Sequence, residues 1–269
     1  RKKFNLPFAL QETFAYWQGL NPGHVERYNS NMQEWLVDGE LPGSAYGDRL
    51  RNTAGHDQLA RVESQLRESP DTRRAVAQVF QAGHEDFTGG DVSCTTELQF
   101  FRRDGELHLH ANVRSQDMFW GYVYDTQNNQ WLQEVLAGRL GLDVGEYVHK
   151  MGSCHYYESM APRVVDSVED EIRRWSTPDL RLPADEHDSV MSALSEGLSA
   201  ARDGDEPWEV HDILKGRASD YYADQLAVTT AYEQGRFHDD THQARQWAQM
   251  VSHQPFGAWL VRWLEGEQF

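Results

Sequence analysis

The chain has two cysteines, Cys94 and Cys154, and the first stands among residues that a nucleophilic thiol needs. The attacking species is the thiolate, so a catalytic cysteine calls for a neighbouring cation or base. Arg114 follows twenty residues after Cys94, with Ser115 beside it. A guanidinium there would lower the thiol pKa and grip a phosphate through its planar fork. Taken singly, each residue has a plainer reading: a cysteine in a strand-rich stretch is usually packing, and an arginine usually a surface ion pair. His155 and Tyr157 are two residues apart, so a strand would turn both to one face and direct Cys154 to the other as packing. Among the twelve histidines, His108 with His110 and His238 with His242 have chelating spacings. No carboxylate or cysteine pattern completes either set, so no metal is expected.

A mixed set of elements has to hold these groups. Leu6, Phe8, Leu10, Phe14 and Trp17 predict an amphipathic helix over residues 5 to 19 that carries Glu12 and ends at Gly19. Leu59, Val62 and Leu66 predict another over 57 to 68, stopped at the run Ser69 to Thr72. Alternating apolar and β-prone residues predict strands at 75 to 80, 98 to 102 and 106 to 113, with Asp104 and Gly105 turning the last two into a hairpin. A buried helix is expected from 131 to 140 and a strand from 146 to 150. The pattern is α+β. Beyond about residue 178 the strands cease, and a Pro- and Asp-rich segment from Thr177 to Asp188 leads into helices expected at 188 to 202, 217 to 235 and 239 to 265. The reading is a catalytic domain over 1–178 and a mainly helical C-terminal extension over 179–269.

With 269 residues and 39% hydrophobic composition, the chain can bury one large core and an appendage. A net charge of -18 opposes a nucleic-acid partner, which selects basic faces. No long apolar run or charged-then-apolar leader is present, so neither membrane insertion nor secretion is expected and the protein is placed in the cytoplasm. Two cysteines are too few for a disulfide framework.

In order and spacing, the runs Ser93 to Phe101, Arg114 to Gly121 and Gly152 to Tyr157 resemble the catalytic half of the thymidylate synthase superfamily. The resemblance covers about residues 5 to 175 and implies a twisted mixed sheet with surrounding helices. It also implies a homodimer formed sheet to sheet, a pyrimidine nucleoside monophosphate substrate and 5,10-methylenetetrahydrofolate as one-carbon donor. By resemblance, Cys94 adds to pyrimidine C6 and makes C5 nucleophilic, Arg114 touches both the thiolate and the phosphate, and Ser115 beside it binds the substrate. Arg73 and Arg74 resemble the adjacent pair that crosses the dimer interface to the partner's nucleotide, and His155 and Tyr157 the pair that holds the sugar hydroxyl. Glu12, in the run Ala9 to Phe14, matches the glutamate that organises water and proton transfer. Tyr46, in a segment with Gly47 and Arg51, is the candidate for assisting loss of the C5 proton. Asp117 matches a folate-contacting aspartate, and Trp35 is assigned to the same pocket.

Asp125 departs from the synthase pattern: it lies eleven residues after Arg114, where the synthase has the asparagine that reads uracil. Asparagine donates to uracil O4 and accepts from N3–H, whereas cytosine presents an N4 amine donor and an N3 acceptor. A carboxyl group can accept from that amine and give a proton to N3. Cytidylate hydroxymethylases of the superfamily carry aspartate at this place. The resemblance therefore implies 5-hydroxymethylation of dCMP or CMP, with the deoxynucleotide preferred: thiolate addition at C6, one-carbon transfer to C5, and water addition to the exocyclic methylene. The alternatives are a C5 methyltransferase on dCMP or dUMP and a non-catalytic nucleotide-binding paralogue. Further departures are Thr95 for the family's histidine, Ser93 for its proline and Ser153 for its aspartate. The family's folate-closing tail is not recognisable at residues 263 to 269, which would admit water, and its phosphate-loop arginine has no counterpart before Glu12.

Overall fold

The structure, a computed structural model, describes residues 4–21, 25–83, 90–162 and 178–266. Thr177, the stretch of the resemblance after residue 162 and the last three residues of the tail lie outside them. Among the described residues, 11 to 162 form one compact unit, and 4 to 10 with 178 to 266 form a second.

In the first unit, strand β1 (Val76–Gln78), β2 (Thr95–Arg103), β3 (Glu106–Val113) and β5 (Asp143–Met151) form one sheet in the order β1-β2-β3-β5. The first two pairings are antiparallel and the last is parallel, so the sheet is mixed. A second, two-stranded sheet pairs β4 (Gln116–Asp117) with β6 (Cys154–His155) in parallel. The hairpin joining β2 to β3 turns at Asp104 and Gly105, whose φ values of 52° and 85° suit the right-handed twist of the flanking strands. Strand alternation sends Leu98, Phe100, Leu107, Leu109, Ala111 and Val113 to the buried face. Helices α3 (Gln58–Glu68) and α4 (Gly121–Leu140) pack against the strands, and α4 makes the crossover that a parallel β3–β5 pair needs. Arg139 and Glu63 tie these two helices at 3.0 Å. The opposite face, carrying Glu97, Gln99, Phe101, His108, His110 and Asn112, is half-buried and mostly polar.

The first helix, α1 (Leu6–Gln18), ends where Gly19 takes φ 68°. Helix α2 (Tyr46–Asn52) is tied to that end by Arg51 Nε donating to Trp17 O at 2.7 Å and Asn52 Nδ2 to Gly19 O at 2.7 Å. It has no long apolar period, which is why the sequence does not announce it.

The second unit is helical: α5 (Ala184–Asp203), α6 (Trp208–Leu214), α7 (Tyr221–Arg236), α8 (Thr241–Met250) and α9 (Gln254–Leu264). Helix α7 is buried along most of its length. The expected helix at 239 to 265 is two helices, because the buried Asp224 carboxylate accepts from Ser252 N at 2.8 Å and His253 N at 2.7 Å and so caps a new start. The Trp208 and Trp247 rings stack at 3.8 Å, and Gln225 Nε2 donates to Leu10 O at 2.7 Å.

Four further sequence expectations need correction. The helix expected from 131 begins at Gly121, so Asp125 lies in its first turns. The strand expected over 75 to 80 is limited to Val76–Gln78. Tyr157 lies beyond the short strand that holds His155. Cys154 is exposed, not packed, in a strand of only two residues.

Candidate active site

Cys94 immediately precedes β2, whose pairing with β3 is irregular between Thr95 and Glu97. Two loops hold it there. Asp91, buried, accepts from Gly43 N and Ser44 N at 2.9 Å each, and Ser93 Oγ donates to Gly43 O at 2.5 Å. A Cβ on Gly43 would lie 2.1 Å from Asp91 O, so only glycine allows this approach. The stitched loops deliver Tyr46, whose Oη accepts from Cys94 N at 2.9 Å and Thr95 N at 3.2 Å. Gly47 does the same for α2 against α1, since its Cβ would lie 2.1 Å from Ala15 O.

Glu12, Tyr16, Tyr46 and Asp125 line a common cavity of about 80 Å³, whose walls also include Leu20, Val25, Met32 and Leu41. Asn128 Nδ2, one helical turn beyond Asp125's level on α4, donates to Glu12 Oε2 at 2.8 Å. Burial pushes the Glu12 pKa up to about 8, Asn128 opposes this, and the Asp125 charge adds to it. Glu12 is thus a proton holder at neutral pH. Burial, followed by the negative potentials of Asp125 and Cys94, raises the Tyr46 phenol far above its ordinary value. Its oxygen already accepts two N–H groups, so Tyr46 acts with its proton on, as a donor.

Arg114 borders Cys94 through its backbone, Arg114 N donating to Cys94 O at 2.9 Å. Its Nε and Nη2 donate to Ser93 O and Val92 O, both at 2.9 Å, which fixes the guanidinium beside the nucleophile loop. The side chain remains exposed, and a guanidinium has five N–H donors, so capacity for a phosphate is left. The expectation of a lowered thiol pKa is not met: burial raises Cys94, and Arg114 offsets only part of that rise, with Asp125, Asp91 and Asp117 adding to it.

Asp117 spends its carboxylate on the turn into α4, accepting from Phe119 N at 3.0 Å and Trp120 N at 2.9 Å. His155 pairs with it in register across β4 and β6, and the rings of His155 and Tyr157 meet edge to face at 5.5 Å. Ser115 is half-buried between Arg114 and β4. Trp35 is 44% exposed with its ring toward Gly90, 3.9 Å from that residue's Cβ position. Arg73 and Arg74 are exposed and lead into β1 where Val76 pairs with Gln99. Five residues of strand, roughly 17 Å, separate that register from Cys94. The structure therefore gathers Glu12, Tyr46, Asp125 and Cys94 and leaves Arg73 and Arg74 apart from them.

The family profile described as thymidylate synthase matches residues 2–199. The chain belongs to the thymidylate synthase family. That family is one of one-carbon transferases whose members bind a pyrimidine nucleotide, use methylenetetrahydrofolate and work as homodimers. The chain is 28% identical over 199 residues to the thymidylate synthase of Bacillus licheniformis, covering 67% of this chain and 69% of that protein. It is 27% identical over 198 residues to that of Bacillus phage phi3T, with the same coverage. Thymidylate synthase A of Bacillus subtilis superposes with a TM-score of 0.56 at 26% identity, over 67% of this chain and 69% of that one. The T4 phage enzyme gives the same TM-score at 19% identity, over 64% and 66%, and shares the fold. The chain thus spans about two thirds of the length of these thymidylate synthases.

The apolar walls at Leu20, Val25, Met32 and Leu41, with exposed Trp35 and Val37 on the same stretch of chain, fit the face of a planar heterocycle such as a folate. Sequence reasoning missed several polar residues packed around the site: Tyr16, Asp91, Gln116, Asn128, Asn129, Tyr147 and His149. The available signal was polarity where burial is expected, as in the Asn128–Asn129 pair next to Trp131 and the Tyr147–His149 alternation in a strand.

Proposed function

We propose that the protein transfers a one-carbon unit to C5 of a cytidine monophosphate and releases the 5-hydroxymethyl product. The observation that carries this reading is Asp125: a carboxylate, fixed by a side-chain amide donor, lines the cavity that also contains Glu12 and Tyr46. An acceptor facing the base complements the cytosine amine and opposes uracil O4.

In this reading Cys94 attacks C6, and Arg114, anchored beside it, receives the phosphate with Ser115. Attack raises electron density in the ring, and a proton passed from Asp125 to N3 relieves it. Glu12, which keeps its proton to about pH 8, supplies a proton reserve in the same cavity. Tyr46 orients the water that removes the C5 proton. Methylenetetrahydrofolate supplies the one-carbon unit when bound, and Trp35 and Asp117 are the residues assigned to hold it. His155 and Tyr157 take the sugar hydroxyl. The separation of Arg73 and Arg74 from Cys94 supports their service to a second copy's site, in a homodimer that pairs the polar outer faces of the two sheets. The catalytic chemistry is assigned to the 1–178 domain and not to the helical extension.

A second reading, C5 methylation of uridylate, is favoured by the names of the Bacillus licheniformis and phage phi3T relatives, both thymidylate synthases. Mass spectrometry of products from dCMP, CMP and dUMP, each incubated with methylenetetrahydrofolate, separates the two. A gain of CH2O on a cytidylate supports the proposal and identifies its sugar. A gain of CH2 on dUMP alone overturns it.

A further inference from the structure

Asp125 is one end of a chain of hydrogen bonds that leaves helix α4 and returns to it. Asn129 Nδ2 donates to Tyr147 Oη at 3.2 Å, and Tyr147 Oη lies 2.6 Å from His149 Nδ1. His149 Nε2 lies 2.8 Å from Gln116 Oε1, and Gln116 Nε2 donates to Asp125 Oδ2 at 2.8 Å. The two ends, Asn129 and Asp125, are one turn apart on α4, while β5 supplies Tyr147 and His149 and β4 supplies Gln116.

We propose that Asn129, Tyr147, His149 and Gln116 are positioning residues that fix the donor and acceptor sense of the Asp125 carboxyl group, and through it the choice of base. This rests on the assignment of Asp125 as the base-reading residue. The sense of the chain follows from proton counting. The Asn129 amide nitrogen can only donate, and Tyr147, which accepts there, has its single proton left for His149 Nδ1. An imidazole accepting at Nδ1 is neutral and carries its hydrogen on Nε2. That hydrogen goes to Gln116 Oε1, which turns the amide nitrogen toward Asp125. Burial lowers the His149 pKa, in keeping with a neutral ring.

Gln116 is 1% exposed, so its amide is held within the packed interior. Tyr122 packs edge to face on the His149 ring at 5.3 Å. Gly121 leaves the space: a Cβ there would lie 2.8 Å from Gln116 Nε2 and 3.4 Å from Asp125 Oδ2.

A donor on Oδ2 holds negative charge on that oxygen and disfavours a proton there. The carboxyl group then keeps an acceptor of the kind that the cytosine N4 amine requires. Reversing every link would aim Gln116 Oε1 at Asp125 and stabilise a protonated Oδ2.

One substitution reverses the chain. In Asn129→Asp the new carboxylate accepts from Tyr147, Tyr147 accepts from His149 Nδ1–H, and Gln116 must donate to His149. Tyr147→Phe instead cuts the chain and leaves it undirected. Nitrogen-15 NMR of His149 in the unmodified protein is expected to show the neutral Nε2–H tautomer, and in Asn129→Asp the Nδ1–H tautomer. Kinetically, both variants are expected to lose on the order of 10- to 100-fold in kcat on cytidylate, the equivalent of one hydrogen bond to a charged group, with KM for the nucleotide little changed. The preference for cytidylate over uridylate falls further in Asn129→Asp than in Tyr147→Phe.

A charged or Nδ1–H His149 in the unmodified protein overturns the proposal whether or not the variants fold. Folded variants with unaltered kcat and base preference overturn it equally. Absence of cytidylate turnover in the unmodified protein defeats the proposed function instead, and the NMR result still decides the sense of the chain.

Discussion

Replacing Glu12 with glutamine tests the electrostatics of the site without the substrate. Glutamine has the same shape and can still accept from Asn128 Nδ2, the 2.8 Å partner of Glu12 Oε2, but it does not ionise. Burial and the neighbouring Asp125 raise the Glu12 pKa from 4.5 to about 8. Between those values the folded protein keeps a proton that the unfolded chain has lost. Stability therefore declines as pH rises through this window, and the decline ends above the folded pKa. The slope is about 1.4 kcal/mol per pH unit in the steep region, and the full excursion is at most about 5 kcal/mol. Glutamine has no such slope, so Glu12→Gln gains on the parent by that amount as pH is raised. Urea unfolding of both proteins from about pH 5 to about pH 9 measures the difference, in which titrations common to both cancel. A stability difference that stays flat across that range would refute the buried, proton-holding glutamate.

Three further outcomes are expected. Alkylation of Cys94, read by peptide mass spectrometry with exposed Cys154 as internal reference, is slow at neutral pH, and Arg114→Gln slows it further because the charge that opposes the burial effect is gone; an unchanged Cys94 to Cys154 ratio counts against the pairing. Gly47→Ala places a Cβ 2.1 Å from Ala15 O and is expected to cost about 1–3 kcal/mol by overpacking, with a lowered melting temperature that Gly257→Ala, whose Cβ meets only Val251 Cγ1 at 3.9 Å, does not produce. Mixing inactive Cys94→Ala with inactive Arg73→Gln/Arg74→Gln is expected to restore activity through hybrid dimers that contain one intact site; no recovery after subunit exchange rules out arginines shared between subunits.

Much of the site was legible because it is carried by residue types at fixed intervals along the chain. Cys94, Arg114 and Asp125 were singled out by the family resemblance, whose runs keep their order and spacing, and the β2–β3 hairpin by strand alternation around Asp104 and Gly105. Local signals of this kind survive folding, since a turn or a period-two strand is specified by neighbours in sequence. Helix α2 was not legible: seven residues with three buried positions offer no periodicity, and only packing on α1 through Gly47 accounts for it. The start of α4 was missed for a related reason. Asp117, four residues upstream of Gly121, caps the entering turn through Phe119 N and Trp120 N, and that stretch carries no apolar period.

The sequence by itself determined which functional groups the protein owns and their order, and with them the family. Tertiary structure decided their protonation. Arg114 was expected to acidify Cys94, yet burial outweighs it, and Glu12 became a proton holder, because desolvation depends on what surrounds a group in space. The hydrogen-bond chain from Asn129 to Asp125 likewise joins three elements whose residues are up to 33 positions apart, and its sense exists only once all of them are in contact.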